Sequence, residues 1–137
     1  MTSVVNERRH RLFESNPTNV QLARRFIVST LQSDGATDAT RDAFALIVSE
    51  LFTNFVEHGD GSVLEVSVVA SNERWEIEVS GGASCAPGDP FLHPATWAIA
   101  PGDHVNGRGL GIVRSLSDDI TIITSDGVIS VRCRRPR

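Results

Sequence analysis

Four polar residues that could do phosphate or metal chemistry lie on one stripe of an otherwise apolar segment, residues 42–58. Glu50, Asn54, Glu57 and His58 share one arc of a helix, of about 100°, at 3.6 residues per turn. Polar groups beside a buried surface need partners such as a metal, a ligand or a paired side chain. A carboxylate and a carboxamide one turn apart suit magnesium and leave a carboxylate as a general base.

The same stripe also has a structural interpretation. Glu50 and Asn54 could form a hydrogen-bonded pair, and Glu57-His58-Gly59 resembles an ordinary helix end with glycine at the cap. A second signal favours a catalytic or binding role for the stripe. Residues 106–112 carry glycines at alternate positions, which are Gly107, Gly109 and Gly111. Glycines let a backbone approach an anion, and a helix start offers free N–H groups. A segment that needs only flexible glycines has the same pattern, and the stretch matches neither the P-loop nor the dinucleotide motif.

Size and composition limit the class of protein. The chain has 137 residues, 40% of them hydrophobic, and a formal net charge of −4, which fits one domain with its own core and gives no basis for bulk nucleic-acid or anionic-membrane binding. The sequence has no long apolar run and no apolar signal-peptide segment, so we expect a cytoplasmic protein. Cys85 and Cys133 lack metal-type spacing and are predicted to be free thiols.

Periodicity predicts the elements that must position these residues. A helix precedes the polar-striped one, and two hairpins follow, the second turning at Asp126-Gly127. The predicted strands span 10–15, 62–70, 74–80, 120–124 and 128–134; the predicted helices span about 18–32, 38–58 and 110–116. Residues 81–106 hold four of the six prolines and are predicted to be a lid with one helical turn near 93–99. The order favours an α+β two-layer sandwich: a mainly antiparallel mixed sheet with helices on one face.

In this order of elements, residues 10–135 resemble the GHKL ATPases, which share the Bergerat or histidine-kinase-like ATPase fold. The chain is most similar to the small bacterial anti-sigma-factor serine/threonine-protein kinases. Residues 50–59 match the family's N box, and residues 107–113 match its glycine box. The resemblance implies a single domain over residues 1–137, with residues 84–106 as the ATP lid.

The resemblance also implies roles for individual residues, with ATP and Mg²⁺ as cofactors. Glu50 would be the catalytic base, and Asn54 would ligate the magnesium ion. Nucleotide binding would involve a further set of positions, which are Asn54, His58, Gly81, Gly107, Arg108, Gly109, Leu110 and Gly111.

The implied function is a cytoplasmic anti-sigma regulator that phosphorylates a serine or threonine of its antagonist. Its partners would be a sigma factor and a STAS-domain anti-anti-sigma protein, without direct contact to nucleic acid or a membrane. A homodimer through the first strand and helix is a further option that relatives suggest. The alternative is a binding-only partner-switching module that has lost productive ATP binding.

One position departs from the family pattern. Where the family has an aspartate that binds the adenine amino group, this chain has Gly81. Losing such a bond typically costs about 1.5–3 kcal/mol, so we expect weak nucleotide binding with reduced adenine preference. Gly81→Asp is then expected to tighten ATP binding. Asp89, eight residues further on and past a proline, is a weaker candidate to replace the carboxylate.

Overall fold

The computed structural model describes residues 7–97 and 105–137. Its main elements follow the order β-α-α-β-β-α-β-β. They are β1 (Glu7–Phe13), α1 (Val20–Ser33), α2 (Asp38–His58), β2 (Leu64–Ala70), β3 (Arg74–Gly82), α3 (Val105–Leu116), β4 (Asp119–Ser125) and β5 (Val128–Pro136). Short 3-10 helices at Pro17–Asn19, Pro90–Leu92 and Pro94–Thr96 lie in the connections.

The strands form one sheet in the order β1-β2-β3-β5-β4. Every neighbouring pair within the described residues is antiparallel. The α+β prediction is confirmed. The sequence predicted a mainly antiparallel mixed sheet, and all the strand pairs in the described residues are antiparallel. Two of the pairs are hairpins, and β5 then joins β3 with Val79 opposite Val131.

The two faces of the sheet differ in chemistry. Alternate residues facing the helices are apolar and buried; among them are Leu64, Val66, Val68, Ile77, Val79, Val131 and Cys133. The opposite face carries cross-strand ion pairs, including Arg132–Glu78 at 2.9 Å and Arg134–Glu76 at 2.7 Å. One face therefore packs against helices and the other is polar, as expected for an antiparallel sheet of this kind.

Helix α2 supplies most of the helical side of the core. Thr37 caps its start by accepting a hydrogen bond from the Thr40 N–H at 3.2 Å. Its fully or almost fully buried apolar residues are Phe44, Ile47, Val48, Leu51, Phe52 and Phe55. The polar stripe lies on the remaining arc, where Glu50 and Asn54 are half-buried and His58 is exposed. The helix predicted from the sequence is thus confirmed.

Several boundaries differ from the sequence prediction. Strand β3 continues through Gly81 and Gly82, which pair with Ile129 and Val128, because a backbone ladder needs no side chains. Helix α3 begins at Val105 and not at Leu110, so packing on α2 outweighs the poor helix propensity of glycine. The predicted turn within the lid corresponds to the 3-10 helix Pro94–Thr96, whereas residues 98–104 of the predicted lid lie outside the described residues.

None of the helices among residues 7–97 and 105–137 has the length and apolar character needed to cross a membrane.

Candidate functional site

The end of α2 is joined to the end of β3, and this junction places the polar stripe. The Gly59 N–H donates to the Phe55 carbonyl at 2.8 Å, and the Asp60 N–H donates to the Gly82 carbonyl at 2.9 Å. A side-chain carbon at Gly59 would lie 3.0 Å from the Gly82 carbonyl oxygen. Only glycine permits this approach, so the helix end is held against the strand end.

A cavity of about 390 Å³ opens beside this junction. Its lining includes three residues predicted from the sequence, which are Asn54, His58 and Leu110. The other lining residues are Phe55 and Gly59 of the α2 end, together with Ala83, Ser84, Cys85, Asp89, Pro90 and Phe91 after β3. The polar stripe, the lid segment and the glycine helix therefore meet at one cavity, with the size and mixed lining of a small-molecule site.

Glu50 lies one turn before Asn54 and contacts the glycine helix. A side-chain carbon at Gly109 would overlap the Glu50 Oε2 atom and lie 3.2 Å from its carboxyl carbon. Burial raises the pKa of Glu50, and the nearby Glu57 raises it further. A carboxylate with a raised pKa is better suited to accept a proton than an ordinary exposed one.

The side-chain amide of Asn54 uses its nitrogen in a hydrogen bond within α2 and keeps its oxygen as an acceptor. Its Nδ2 atom donates to the Glu50 carbonyl at 2.8 Å, which leaves the amide oxygen as its remaining hydrogen-bond or metal acceptor. No cluster of three or more His, Cys, Asp or Glu side chains that could hold a metal occurs among residues 7–97 and 105–137. The amide oxygen of Asn54 is a ligand type that magnesium accepts alongside waters and phosphates, so this donor fits such a cation.

The glycine stretch lies inside α3 and not in a loop before it. The first four N–H groups of a helix have no partner within the helix, and here they belong to residues 105–108, which include Gly107 and Arg108. Gly109 and Gly111 are buried within the helix. Gly109 thus serves close packing of α3 on α2, while any free backbone donors lie one turn earlier.

Gly81 does not line the cavity. A side-chain carbon there would lie 2.5 Å from Leu64 Cδ2 and 2.8 Å from Phe55 Cδ1. Leu64 is 1% exposed and Phe55 2% exposed, so neither can turn out to solvent. The expectation for Gly81→Asp stays a prediction, and the first carbon of the added side chain would meet two apolar core residues.

Aromatic packing between the core and the lid was missed from the sequence. Phe91 contacts Phe55 edge to face with ring centroids 5.7 Å apart, and it stacks on Trp97 at 6.1 Å. Trp97 is 3% exposed and its indole N–H donates to the Pro90 carbonyl at 2.9 Å. Two large aromatic residues within a proline-rich connection were the available signal that this part of the lid packs on the core.

Comparisons with known proteins agree with the fold. A family model described as "Histidine kinase-like ATPase domain" matches residues 13–134. A comparison with curated proteins returned no match. Among solved structures, a chain of the SiaB–SiaC complex from Pseudomonas aeruginosa is similar in fold, with a TM-score of 0.68 and 12% sequence identity. The match covers 91% of this chain and 88% of that one.

Gly81→Ala is expected to destabilise the protein. The added methyl group must displace Leu64 or Phe55 in a packed core, and overpacking of this kind costs about 1–3 kcal/mol. Gly88→Ala is the matched control, because no atom lies within 4 Å of the corresponding position. Urea unfolding measures both variants, and equal stability of Gly81→Ala and the parent would contradict the packing described.

Glu50→Gln is expected to raise the free energy of unfolding at neutral pH. The raised pKa of Glu50 means that the folded state disfavours the ionised carboxylate. The protonated Glu50 carboxyl is the form that the folded state favours. The contribution of Glu50 to stability is therefore complete below its ordinary pKa of 4.5 and is lost as the pH rises through its raised pKa in the folded state. Parent and variant should converge in acid and separate at neutral pH.

Urea titrations at several pH values test this dependence on Glu50. Glu73→Gln, an exposed glutamate in the β2–β3 turn, serves as the control and should show no such separation. A pH-independent difference between Glu50→Gln and the parent would contradict the burial effect.

Proposed function

The chain belongs to the histidine kinase-like ATPase domain family, and on that premise we propose that it is an anti-sigma partner-switching regulator. In this proposal it binds a sigma factor and uses Mg-ATP to phosphorylate a serine or threonine of a STAS-domain antagonist. The observation that carries the proposal is the contact between the Glu50 carboxylate and Gly109 of the glycine helix. A carboxylate that could act as a base then lies within about one turn of the free N–H groups at the start of α3, a proximity that phosphoryl transfer requires.

Glu50 is the proposed general base. The hydroxyl oxygen of the antagonist attacks the γ-phosphorus, the bond to the bridging β–γ oxygen breaks, and ADP leaves with that oxygen. Glu50 accepts the hydroxyl proton, and its raised pKa favours this acceptance. The neighbouring positive end of α3 stabilises charge on the phosphates through the free N–H groups of its first turn, which include those of Gly107 and Arg108.

Asn54 is the proposed protein ligand for magnesium. Its amide nitrogen is held by the Glu50 carbonyl, which orients the amide oxygen as the acceptor. When bound, the cation supplies neutralisation of phosphate charge. His58 and Leu110 line the same cavity and are proposed to contact the nucleotide.

The proposed docking surface is the exposed side of α1. Arg24 and Arg25 are both exposed, and neither forms an ion pair within the described part of the chain. By contrast, Arg132 and Arg134 on the open sheet face are paired with glutamates. Unpaired arginines on a helix suit an acidic protein partner. The similar solved fold comes from a complex, SiaB with SiaC, which supports a protein partner for this chain.

A second candidate function is a binding-only module, and one observation favours it. The position of the family's adenine-binding carboxylate is Gly81, and Leu64 and Phe55 crowd the space beside it. Such a module would switch partners through protein contacts and would not turn over ATP. If the protein is a kinase, Glu50 is needed for phosphorylation; if it is a binding-only module, substitution of Glu50 changes stability alone.

Catalysis and partner binding are expected to separate in Glu50→Gln. The amide keeps the shape but cannot take the proton, so phosphorylation of the antagonist should fall about 10²- to 10⁴-fold. Sigma-factor binding should stay within about twofold, because the residue is half-buried between α2 and α3. Labelled-phosphate transfer and pull-down against the sigma factors and STAS proteins of the source organism measure the two properties. Phosphorylation unchanged in the variant would exclude Glu50 as the base, and parent protein that captures partners without phosphorylating them would favour the binding-only module.

Arg24→Glu with Arg25→Glu is expected to weaken sigma-factor capture roughly tenfold, through charge repulsion at the docking surface. The variant should keep its phosphorylation rate, since these side chains lie on the exposed side of α1. Asn72→Glu in the β2–β3 turn, also exposed, controls for added negative charge. Capture equal to that of the parent would exclude this face of α1.

A further inference from the structure

We propose that Asp89, on the lid segment, binds the amino group of an adenine base in place of the carboxylate that is missing at Gly81. The inference deepens the proposed function and rests on its nucleotide-binding part. It makes an adenine nucleotide the ligand class of the cavity, with a recognition residue supplied by the lid and not by the sheet.

The cavity offers one carboxylate. Among its lining residues in the described part of the chain, Asp89 is the sole acidic side chain. The apolar lining consists of Phe55, Ala83, Pro90, Phe91 and Leu110. The remaining lining includes the polar residues Asn54, His58 and Ser84. A cavity with apolar walls, a few polar groups and one charged acceptor suits a flat aromatic ligand that carries a hydrogen-bond donor.

The Asp89 carboxylate is held in place by its own segment. Its Oδ1 atom accepts a hydrogen bond from the Phe91 N–H at 2.9 Å. Its backbone is tied on both sides, since the Asp89 N–H donates to the Ala86 carbonyl at 2.9 Å and its carbonyl accepts from the Leu92 N–H at 3.0 Å. One oxygen therefore anchors the side chain. The Cys85 thiol, a weak donor, also hydrogen-bonds the Asp89 carboxylate and is the group that a stronger ligand donor would displace.

Phe91 adds a second anchor to this segment. Its ring rests edge to face on Phe55 and stacks on Trp97, so the turn that carries Asp89 is attached to the core. A preorganised acceptor binds a donor better than one on a free chain. Cys85 also lines the cavity, and burial followed by the charge of Asp89 raises its pKa, so the thiol stays neutral beside the carboxylate.

Two other positions could have supplied the carboxylate, and the contacts disfavour both. At Gly81 an added side chain meets Leu64 and Phe55. Asp60 lies beside Gly82, but its Oδ1 atom is used by the N–H and the hydroxyl of Ser62. Asp60 is exposed and is not among the residues that line the cavity.

The test compares two nucleotides that differ only in the amino group. Calorimetric titration with magnesium measures binding of ATP and of purine riboside triphosphate, which lacks the 6-amino group, to the parent chain, Asp89→Asn and Asp89→Ser. Asparagine and serine both cap helix starts, so the turn at Pro90–Leu92 keeps its cap. Asp42→Asn, an exposed aspartate on α2, is the control.

The parent should bind ATP about tenfold or more tightly than the amino-free nucleotide, as expected for a hydrogen bond to a charged group. Asp89→Ser should lose this preference, Asp89→Asn should keep part of it, and binding of the amino-free nucleotide should not change in either variant. Equal ATP affinity in the parent and both variants, or no preference in the parent, overturns the role of Asp89 alone. If the parent chain binds neither nucleotide, this inference and the ATP-dependent function are both overturned. If only the Asp89 variants lose binding of both nucleotides, Asp89 has a structural role, and its role in recognising the amino group is overturned.

Discussion

The packing of the Phe55 ring is the contact on which the site depends. The ring lies beside Gly81 on the sheet and meets the Phe91 ring of the lid segment edge to face. The carbonyl of the same residue accepts the N–H of Gly59, which ends α2. One buried aromatic residue thus closes the sheet side of the cavity, supports the lid turn and fixes the end of the helix that carries Glu50 and Asn54.

The packing around the two glycines differs between the two ends of the site. At the end next to α3, the glycine backbone approaches Glu50 so closely that no side chain fits between them. This arrangement keeps the Glu50 carboxylate against the α3 backbone. At the end next to β3, the space beside Gly81 is occupied by apolar side chains. The residues proposed for phosphoryl transfer lie at the α3 end of the site. Under the same proposal, recognition of the adenine comes from the lid segment, which borders the cavity on its other side.

The lid segment is also connected to α3. Arg114 donates to the carbonyls of Ala95 and Trp97 at 3.0 and 2.9 Å, and Trp97 stacks on Phe91. Direct contacts therefore connect the segment that carries Asp89 and Phe91 to the helix that packs against Glu50.

The sequence by itself determined the class of fold and the positions of the polar stripe. The 3.6-residue period of α2, the alternation in the strands and the Asp126-Gly127 turn are local properties, and the elements appeared in the predicted order, with shifted ends at β1, β3 and α3. Tertiary structure alone decided what depends on residues far apart in the chain. The start of α3 at Val105 follows from its packing on α2, and Gly81 is enclosed by Leu64 and Phe55, which are 17 and 26 positions away in the sequence. Asp89 borders the cavity because the aromatic contacts of Phe91 hold its turn against the core. The local sequence signals that aromatic residues are present there, but not that Phe91 meets Phe55.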